Sequence, residues 1–266
     1  MSPLDPLTLL LITWAGAALL MAGLFALQRA LRDAGIADVG WAAGLGLAAL
    51  LFAAFGGGDP ARRLLLAILA AGWGFRLAWH ILRDRVLRGE EDGRYRRMRE
   101  FWGERAQWNF FLFFQAQALF IVIFALPLLA VSFNDRSDLS LWDWLGVGLW
   151  VIAVAGETVA DRQLARFRAD SANRGKTCRV GLWRLSRHPN YFFEWLHWWA
   201  YVPLGLGGPW GWVTLLGPAV MWLFLFRITG IPHTEQQALI SRGDDYREYQ
   251  RTTSVLIPWF PKESVK

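Results

Sequence analysis

Long apolar runs separated by short polar loops dominate this chain. A helix needs about 20 predominantly apolar residues to cross the hydrocarbon core of a bilayer, and most of the runs approach that length. The pattern predicts seven spans, at residues 6–28, 39–56, 64–82, 108–132, 141–161, 192–206 and 209–229. We therefore expect an all-α, polytopic membrane bundle of about seven transmembrane helices, which forms a single domain over residues 1–266.

Positive charge is distributed unevenly between the loops that join these runs. The chain has a formal net charge of +6. Most of its Lys and Arg residues fall in alternate loops, at residues 29–38, 83–107, 162–190 and 227–266, whereas the intervening loops hold only Arg62, Arg63 and Arg136. Since loops rich in Lys and Arg stay in the cytoplasm, we expect an inner-membrane protein with its N-terminus outside and its C-terminus in the cytoplasm. The excess of Lys and Arg is thus explained by the orientation of the loops across the membrane, and no nucleic-acid partner is expected.

Cysteine and histidine are too scarce for a disulfide or metal framework. Cys178 is the single cysteine, so it predicts an incidental loop thiol and no intramolecular disulfide. Glu194 and His197 have the E-x-x-H spacing of some metal sites, but metal sites need more ligands than this pair. The sequence also has no glycine-rich dinucleotide motif and no phosphate loop. We therefore expect no metal, and any nucleotide would bind without a Rossmann domain.

A polar cluster stands at the start of the sixth predicted span. It reads Arg-His-Pro-Asn-Tyr at residues 187–191, with Glu194 one turn later. Proline is tolerated at the first position of a helix, where its missing N–H costs nothing, so Pro189 predicts a helix N-terminus. Polar groups at the mouth of a membrane helix usually mark a binding site. Three side chains of the cluster are expected to face a bound anion: Arg187, His188 and Asn190.

A second group of charges lies where the fifth span meets the cytoplasm. Glu157, Asp161 and Arg168 recur at helical spacing, which puts them on one face of the helix. Two carboxylates on one turn repel each other unless a cation or hydrogen-bond donors share the site. One interpretation is a ligand pocket whose carboxylates accept hydrogen bonds from sugar or amide groups. The other is a pair of buried acids neutralised by Arg76 or Arg168.

Two further features lie at the ends of the early spans. Asp38 opens the second span beside Trp41, where it would either hydrogen-bond the ketone of a lipid-like ligand or cap the helix. The loop 83–107 mixes eight Arg with six acids, which predicts either an ion-paired folded cap or an amphipathic helix on anionic lipid. Cations from this region and from the other cytoplasmic loops are candidates for a funnel that binds phosphates: Arg76, Arg85, Arg168 and Arg187.

The ordered motifs of the chain resemble those of the steroid 5α-reductase superfamily, in the bacterial branch labelled as a domain of unknown function. The resemblance covers residues 36–262. It rests on Asp-Val-Gly-Trp at 38–41, Arg76 to Arg85, Glu-Asp-Gly-Arg-Tyr at 91–95, Glu157 with the block 160–164, Gly-Leu-Trp at 181–183, Ser-Arg-His-Pro-Asn-Tyr at 186–191, Gly-Ile-Pro at 230–232 with Glu235, and Tyr-Arg-Glu-Tyr at 246–249 before Ile257-Pro258.

The resemblance implies a seven-helix fold that holds NADPH in a cavity facing the cytoplasm. The implied reaction is the reduction of a carbon–carbon double bond in a steroid-like enone or another apolar lipid, while a hydrogen-bond donor stabilises the enolate oxygen. The candidate catalytic residues are Asp38 and Tyr191. The residues expected at the cofactor site are Arg76, Arg85, Tyr95, Glu157, Asp161, Arg168, Arg187, His188, Asn190, Tyr191, Glu194 and Glu235.

Two positions depart from the pattern of that superfamily. Steroid reductases hold the ketone with a Gln-Glu pair near the start of the second span, and this chain lacks the pair. Asp38 is the nearest acid, and burial would have to keep it protonated for it to donate a hydrogen bond. Phe193 stands where the superfamily usually has glycine.

Two other function classes remain open at this point. Membrane methyltransferases of isoprenylcysteine and phospholipids share the Arg-His-Pro-x-Tyr motif and bind S-adenosylmethionine. Their usual pair of glutamates is Glu235-Gln236 here, and the arginine-rich lining suits a phosphorylated dinucleotide better than a cationic sulfonium. The third class is a lipid-binding membrane protein without catalysis. The nucleotide that copurifies with the protein would separate the three.

Overall fold

The computed structural model describes residues 2–88, 91–228 and 230–262. Those residues form helices and no strand, which confirms the all-α prediction. Six helical stretches of the described chain are long and apolar enough to cross a bilayer: Pro6–Leu31, Ile36–Phe55, Pro60–Asp84, Gly93–Ser132, Leu141–Ala169 and Gly211–Arg242. The protein is therefore a polytopic membrane bundle, as the apolar pattern predicts.

The described residues contain twelve α-helices. In chain order they are α1 (Pro6–Leu31), α2 (Ile36–Phe55), α3 (Pro60–Leu66), α4 (Gly72–Asp84), α5 (Gly93–Trp102), α6 (Ala106–Ser132), α7 (Leu141–Ala169), α8 (Pro189–Trp199), α9 (Tyr201–Gly205), α10 (Leu216–Leu223), α11 (Ile231–Arg242) and α12 (Asp244–Thr252). A π-helical turn at Ala67–Ala71 joins α3 to α4, and another follows α10 at Phe224–Ile228.

The last two predicted spans differ from the others. The segment 192–206 is divided between α8 and α9, which have 11 and 5 residues, so neither is long enough to cross a bilayer alone. The segment 209–229 begins with a 3₁₀ turn and continues as α10, and its final residue, Thr229, lies outside the described residues.

The chain divides into two compact units. The first unit runs up to Asp143 and includes Leu204–Leu216, and the second is formed by Trp144–Pro203 and by the chain from Gly217 onward. The expectation of one domain over residues 1–266 stays a prediction.

Helix α2 lies at the centre of the first unit, where it contacts α1, α4 and α6. Its approach to α4 requires glycine, because a Cβ on Gly74 would lie 2.8 Å from the Ala42 carbonyl oxygen and 2.9 Å from the Gly46 nitrogen. Small residues let membrane helices pack backbone to backbone. Beside this contact, Trp41 and Trp73 meet edge to face with their ring centroids 6.1 Å apart. Trp41 is thus part of the packing of this unit.

A buried arginine organises one end of the first unit. The Arg62 side chain is fully buried, and its Nε and Nη2 atoms lie 2.7 and 3.1 Å from the two carboxylate oxygens of Asp143. Arg62 also donates to the carbonyl oxygens of Asn134, Arg136 and Asp138 at 2.9–3.3 Å. We call these residues the Arg62 network. The sequence pattern counts Arg62 as a loop cation, whereas the tertiary structure makes it a buried bridge between α3, the 134–138 turn and α7.

In the second unit a loop is fastened to the end of α7. The Trp183 indole donates to the Ala160 carbonyl oxygen at 2.9 Å, and the Leu182 N–H donates to Gln163 Oε1 at the same distance. Gly181 has a φ of +55°, and a Cβ there would lie 2.3 Å from Gln163 Nε2, so glycine is required for this close approach. The loop then leads directly into α8.

Candidate functional site

Asn190 and Asp161 come together in the second unit. Asn190 occupies the first turn of α8, which begins at Pro189 as the sequence predicts. Its Nδ2 atom donates to Asp161 Oδ1 on α7 at 3.2 Å. Glu157, one turn before Asp161, is buried in the same unit. Two sequence motifs that are 29 residues apart thus form one polar pair, which we call the Asn190 pair.

Arg187 and His188 are engaged by the protein itself. Arg187 donates from Nε to Glu235 Oε1 at 2.7 Å and from Nη1 to the carbonyl oxygens of Gln250 and Thr253 at 2.8 and 2.7 Å. His188 is buried, and its Nε2 lies 3.2 Å from Glu235 Oε1. Both side chains thus bind Glu235, and Arg187 also binds the end of α12. Their predicted contact with a bound anion stays a prediction.

Glu235 is the centre of this arrangement. Besides Arg187 and His188, its carboxylate accepts from Gln250 Nε2 at 2.7 Å and from the Tyr246 hydroxyl at 3.4 Å. We call these five residues the Glu235 network. Burial lowers the pKa of His188, so the ring is neutral near pH 7 and the tautomer with hydrogen on Nε2 suits the carboxylate acceptor. The network fixes the turn that carries Asn190.

Tyr191 lies beside this network. Its ring stacks on His188, with centroids 5.3 Å apart and an interplanar angle of 7°. Its hydroxyl lies 3.2 Å from Thr234 Oγ1 on α11. Glu194 follows one turn later on α8. The phenol of Tyr191 thus lies within hydrogen-bond distance of a neutral hydroxyl.

A cationic cleft of about 470 Å³ opens at the end of α7 in the second unit. Arg168, one of the predicted phosphate ligands, lines it. Three further cations share the lining with a single acid, Asp170: Arg174, Lys176 and Arg242. Cys178 forms part of the wall, and burial raises the pKa of its thiol, so it is a protonated, poorly nucleophilic group and not an exposed loop thiol.

Asp38 forms a separate network in the first unit. It accepts from the Tyr95 hydroxyl at 2.7 Å and from Arg94 Nη2 at 3.1 Å, and Arg85 Nη1 lies 3.9 Å away. Asp38 lies in the first turn of α2, and the residue at the cap position is Gly35, so Asp38 does not cap the helix. In both hydrogen bonds Asp38 is the acceptor, and its role as a donor to a ketone stays a prediction. We call these residues the Asp38 network.

The charged loop between α4 and α6 is ordered by its ion pairs. Asp92 caps α5 by accepting from the Arg94 N–H at 2.9 Å. Burial acts to raise the pKa of Asp92, but the hydrogen bonds and charge of Arg94 outweigh it and lower the pKa. Arg99 donates to Glu91 at 2.7 Å. The sequence predicts either an ion-paired folded cap or an amphipathic helix on anionic lipid. In the described part of the loop, these ion pairs fit the folded cap.

The remaining predicted site residues are distributed over both units. Arg76 lies on α4 and Arg85 just after it in the first unit, whereas Arg168 and Arg187 belong to the second. A single funnel built from all four stays a prediction. Among the described residues no group of three or more His, Cys, Asp or Glu side chains is placed to hold a metal ion.

Comparison with known proteins places the chain in a family. A family model described as a protein of unknown function (DUF1295) matches residues 24–253. The chain belongs to this family. It is also similar to the uncharacterized protein C594.04c of Schizosaccharomyces pombe, with 28% identity over 182 residues that cover 58% of this chain. The aligned part is 52% of the yeast protein, so the chain spans about half the length of that relative. No solved structure matches the chain.

In this DUF1295 member the sequence patterns missed two groups of residues. Arg94 is adjacent to the predicted Tyr95, and only the fold brings its guanidinium against Asp38. The other cleft cations lie in basic loops whose charge the sequence explains by topology alone. The signal that could have found them is their spacing from Arg168, since Arg174 and Lys176 follow it within eight residues.

Proposed function

We propose that this protein is an NADPH-dependent reductase of a carbon–carbon double bond in an apolar, enone-bearing lipid. We further propose that it resides in the inner membrane with its basic loops in the cytoplasm, where NADPH is available, and that it belongs to the steroid 5α-reductase superfamily. The lipid substrate would enter from the bilayer. The observation that carries the proposal is the cationic cleft on the same helix as the Asn190 pair.

The chemistry of the second unit suits a phosphorylated dinucleotide. Asp161 and Arg168 are seven residues apart on α7, which is about 10 Å along the axis of a helix. A carboxylate and an amide at one end suit the hydroxyl and carboxamide groups of a nicotinamide riboside, and the cations of the cleft suit phosphates. S-adenosylmethionine carries a positive sulfonium and no phosphate, so the cationic cleft favours NADPH over that cofactor.

The Asp38 network contains a hydrogen-bond donor for the ketone oxygen of the substrate. NADPH, when bound, supplies the hydride. The Tyr95 hydroxyl is the donor that we assign to the ketone oxygen, where negative charge develops. A hydroxyl has one hydrogen, so Tyr95 must turn it from Asp38 towards the ketone, and Arg94 keeps the Asp38 carboxylate paired while it does so. This assignment moves the catalytic role from Tyr191 to Tyr95.

Replacing Arg168 with Gln should weaken NADPH binding by about 10- to 100-fold, because a charge-assisted hydrogen bond to a phosphate contributes about 1.5–3 kcal/mol. Titration calorimetry on the full chain in lipid nanodiscs measures the effect. Arg166→Gln is the matched control, since Arg166 lies on the same helix but does not line the cleft. Equal affinities in the two variants would contradict the cleft assignment. Binding of S-adenosylmethionine by a parent protein that does not bind NADPH would favour a methyltransferase.

Replacing Asn190 with Ala should weaken NADPH binding by about 3- to 10-fold, the effect of one neutral hydrogen bond. Gln237→Ala is the control, because it removes an exposed amide from α11 of the same unit. The thermal midpoint of each variant is recorded alongside, so that a loss of affinity without a loss of stability assigns Asn190 to ligand binding. Parent-like affinity in Asn190→Ala would remove Asn190 from the cofactor site.

A further inference from the structure

Three large apolar side chains are exposed on one short segment after α12. The exposed fractions are 51% for Ile257, 70% for Trp259 and 79% for Phe260. We call residues 257–260 the aromatic segment. Isolated apolar side chains on a surface are normal, but a contiguous apolar patch usually marks an interaction site.

The aromatic segment is held in place by its backbone. The Trp259 N–H donates to the Leu185 carbonyl oxygen at 2.9 Å, and the Ser186 hydroxyl donates to the Leu256 carbonyl oxygen at 2.7 Å. At its far end the Lys262 N–H donates to the Thr252 carbonyl oxygen at 2.8 Å. The protein therefore fixes this segment on both sides while leaving its largest side chains uncovered.

Exposed cations are adjacent in sequence to the residues that hold the aromatic segment. The hydrogen bond to Leu185 brings Arg184 close in the chain, and the bond to Thr252 does the same for Arg251. Lys262 follows the segment directly. All three cations are exposed. Aromatic residues flanked by Lys and Arg are typical of segments that lie in the interface of an anionic bilayer.

The position of the segment in the second unit fits such an interface. Leu185, its hydrogen-bond partner, lies four residues before Pro189, where α8 enters the apolar part of the chain. Trp183 donates to the Ala160 carbonyl oxygen in the final third of α7, a helix that is long and apolar enough to cross a bilayer. The segment is thus tied to the short stretch where two apolar helices meet polar chain.

We infer that the aromatic segment inserts into the headgroup region of an anionic lipid bilayer, and that Arg184, Arg251 and Lys262 bind the lipid phosphates around it. The occupant of this surface is lipid, because the three cations complement anionic headgroups and the indole and phenyl rings suit the boundary between headgroups and acyl chains. The inference is independent of the reductase proposal, since it requires no bound cofactor and no substrate.

A fluorescent label at residue 259 tests the inference. Trp259→Cys is made in a Cys178→Ser background, labelled with an environment-sensitive fluorophore and placed in nanodiscs of phosphatidylcholine with or without phosphatidylglycerol. The control is Asp244→Cys, because the Asp244 side chain is 94% exposed at the start of α12 in the same unit. We expect headgroup spin-labelled lipid to quench the label at 259 at least about threefold more than the label at 244, and aqueous iodide to show the reverse order.

Two results would overturn the inference. Equal iodide quenching at both positions without quenching by lipid would place the segment in water. Shielding of position 259 from both quenchers would show that a second copy or another protein covers the segment.

The role of the cations is measured separately, in a triple variant with Arg184→Gln, Arg251→Gln and Lys262→Gln. We expect lipid quenching at position 259 to rise when phosphatidylglycerol is added to the parent, and this rise to disappear in the triple variant. An unchanged rise in the triple variant would refute the assignment of the cations.

Discussion

Replacing Asp143 with Leu should lower the free energy of unfolding by about 3–5 kcal/mol, because it leaves the Arg62 guanidinium buried without its counter-charge. Both side chains of this pair are fully buried. Asp143 also accepts from Arg136 Nη2 at 3.0 Å and from the Ser140 N–H at 2.8 Å, so its loss affects the turn before α7 as well. Chemical unfolding of the full chain in detergent micelles measures the change.

A control variant and a double variant distinguish loss of the Arg62–Asp143 ion pair from destabilisation that any substitution in this region would cause. Arg63→Met is the control, because Arg63 is adjacent in sequence but its guanidinium donates to the carbonyl oxygens of Ala53 and Ala54 on α2. The double variant Arg62→Met with Asp143→Leu should be more stable than Asp143→Leu alone, since it removes the unpaired charge. If the double variant is as unstable as the sum of the single ones, the two side chains are not coupled as the geometry indicates.

Replacing Tyr95 with Phe should lower the rate of enone reduction by about 100- to 1,000-fold, the usual effect of removing a hydrogen-bond donor to a developing oxyanion. This result rests on the proposed function. NADPH affinity should stay close to that of the parent, because the cofactor contacts are assigned to the second unit. The measurement is NADPH oxidation in nanodiscs with a panel of long-chain and polycyclic enones, together with calorimetric NADPH binding.

Tyr191→Phe is the matched variant for this test. It removes a hydroxyl that lies 3.2 Å from Thr234 Oγ1 and keeps the ring that stacks on His188, so its rate should fall much less than that of Tyr95→Phe. The opposite order of the two rates would return the catalytic role to Tyr191. A Tyr95→Phe protein that loses thermal stability but keeps its rate would show that the hydroxyl only holds α5 to α2 through Asp38.

The apolar pattern was sufficient to predict most of the helices, because the bilayer provides no hydrogen-bond partners for the backbone. Backbone N–H and C=O groups have no water to bond inside the hydrocarbon, so an apolar run must form a helix. The predicted runs 39–56 and 108–132 coincide within three residues with α2 and α6. The run 192–206 also forms helix, but the break between α8 and α9 at Ala200 is not visible in hydrophobicity.

Two of the sequence motifs contain residues that the fold brings into contact. Pro189 marks the start of α8, and Asn190 in its first turn donates to Asp161 on α7. Where a charge has two possible partners, its place in the sequence does not decide between them. Arg187 at a helix start could bind an anionic ligand or an acid of its own chain, and the choice depends on Glu235, which lies 48 residues away.

The sequence by itself determined that this chain is a helical membrane protein, because length and hydrophobicity act locally on each segment. Only the tertiary structure decided which charges bind one another. Arg62 and Asp143 are 81 residues apart, and Asp38 and Tyr95 are 57 apart. A buried charge must find a partner wherever the fold supplies one, and that partner is set by the packing of helices and not by the spacing of residues along the chain.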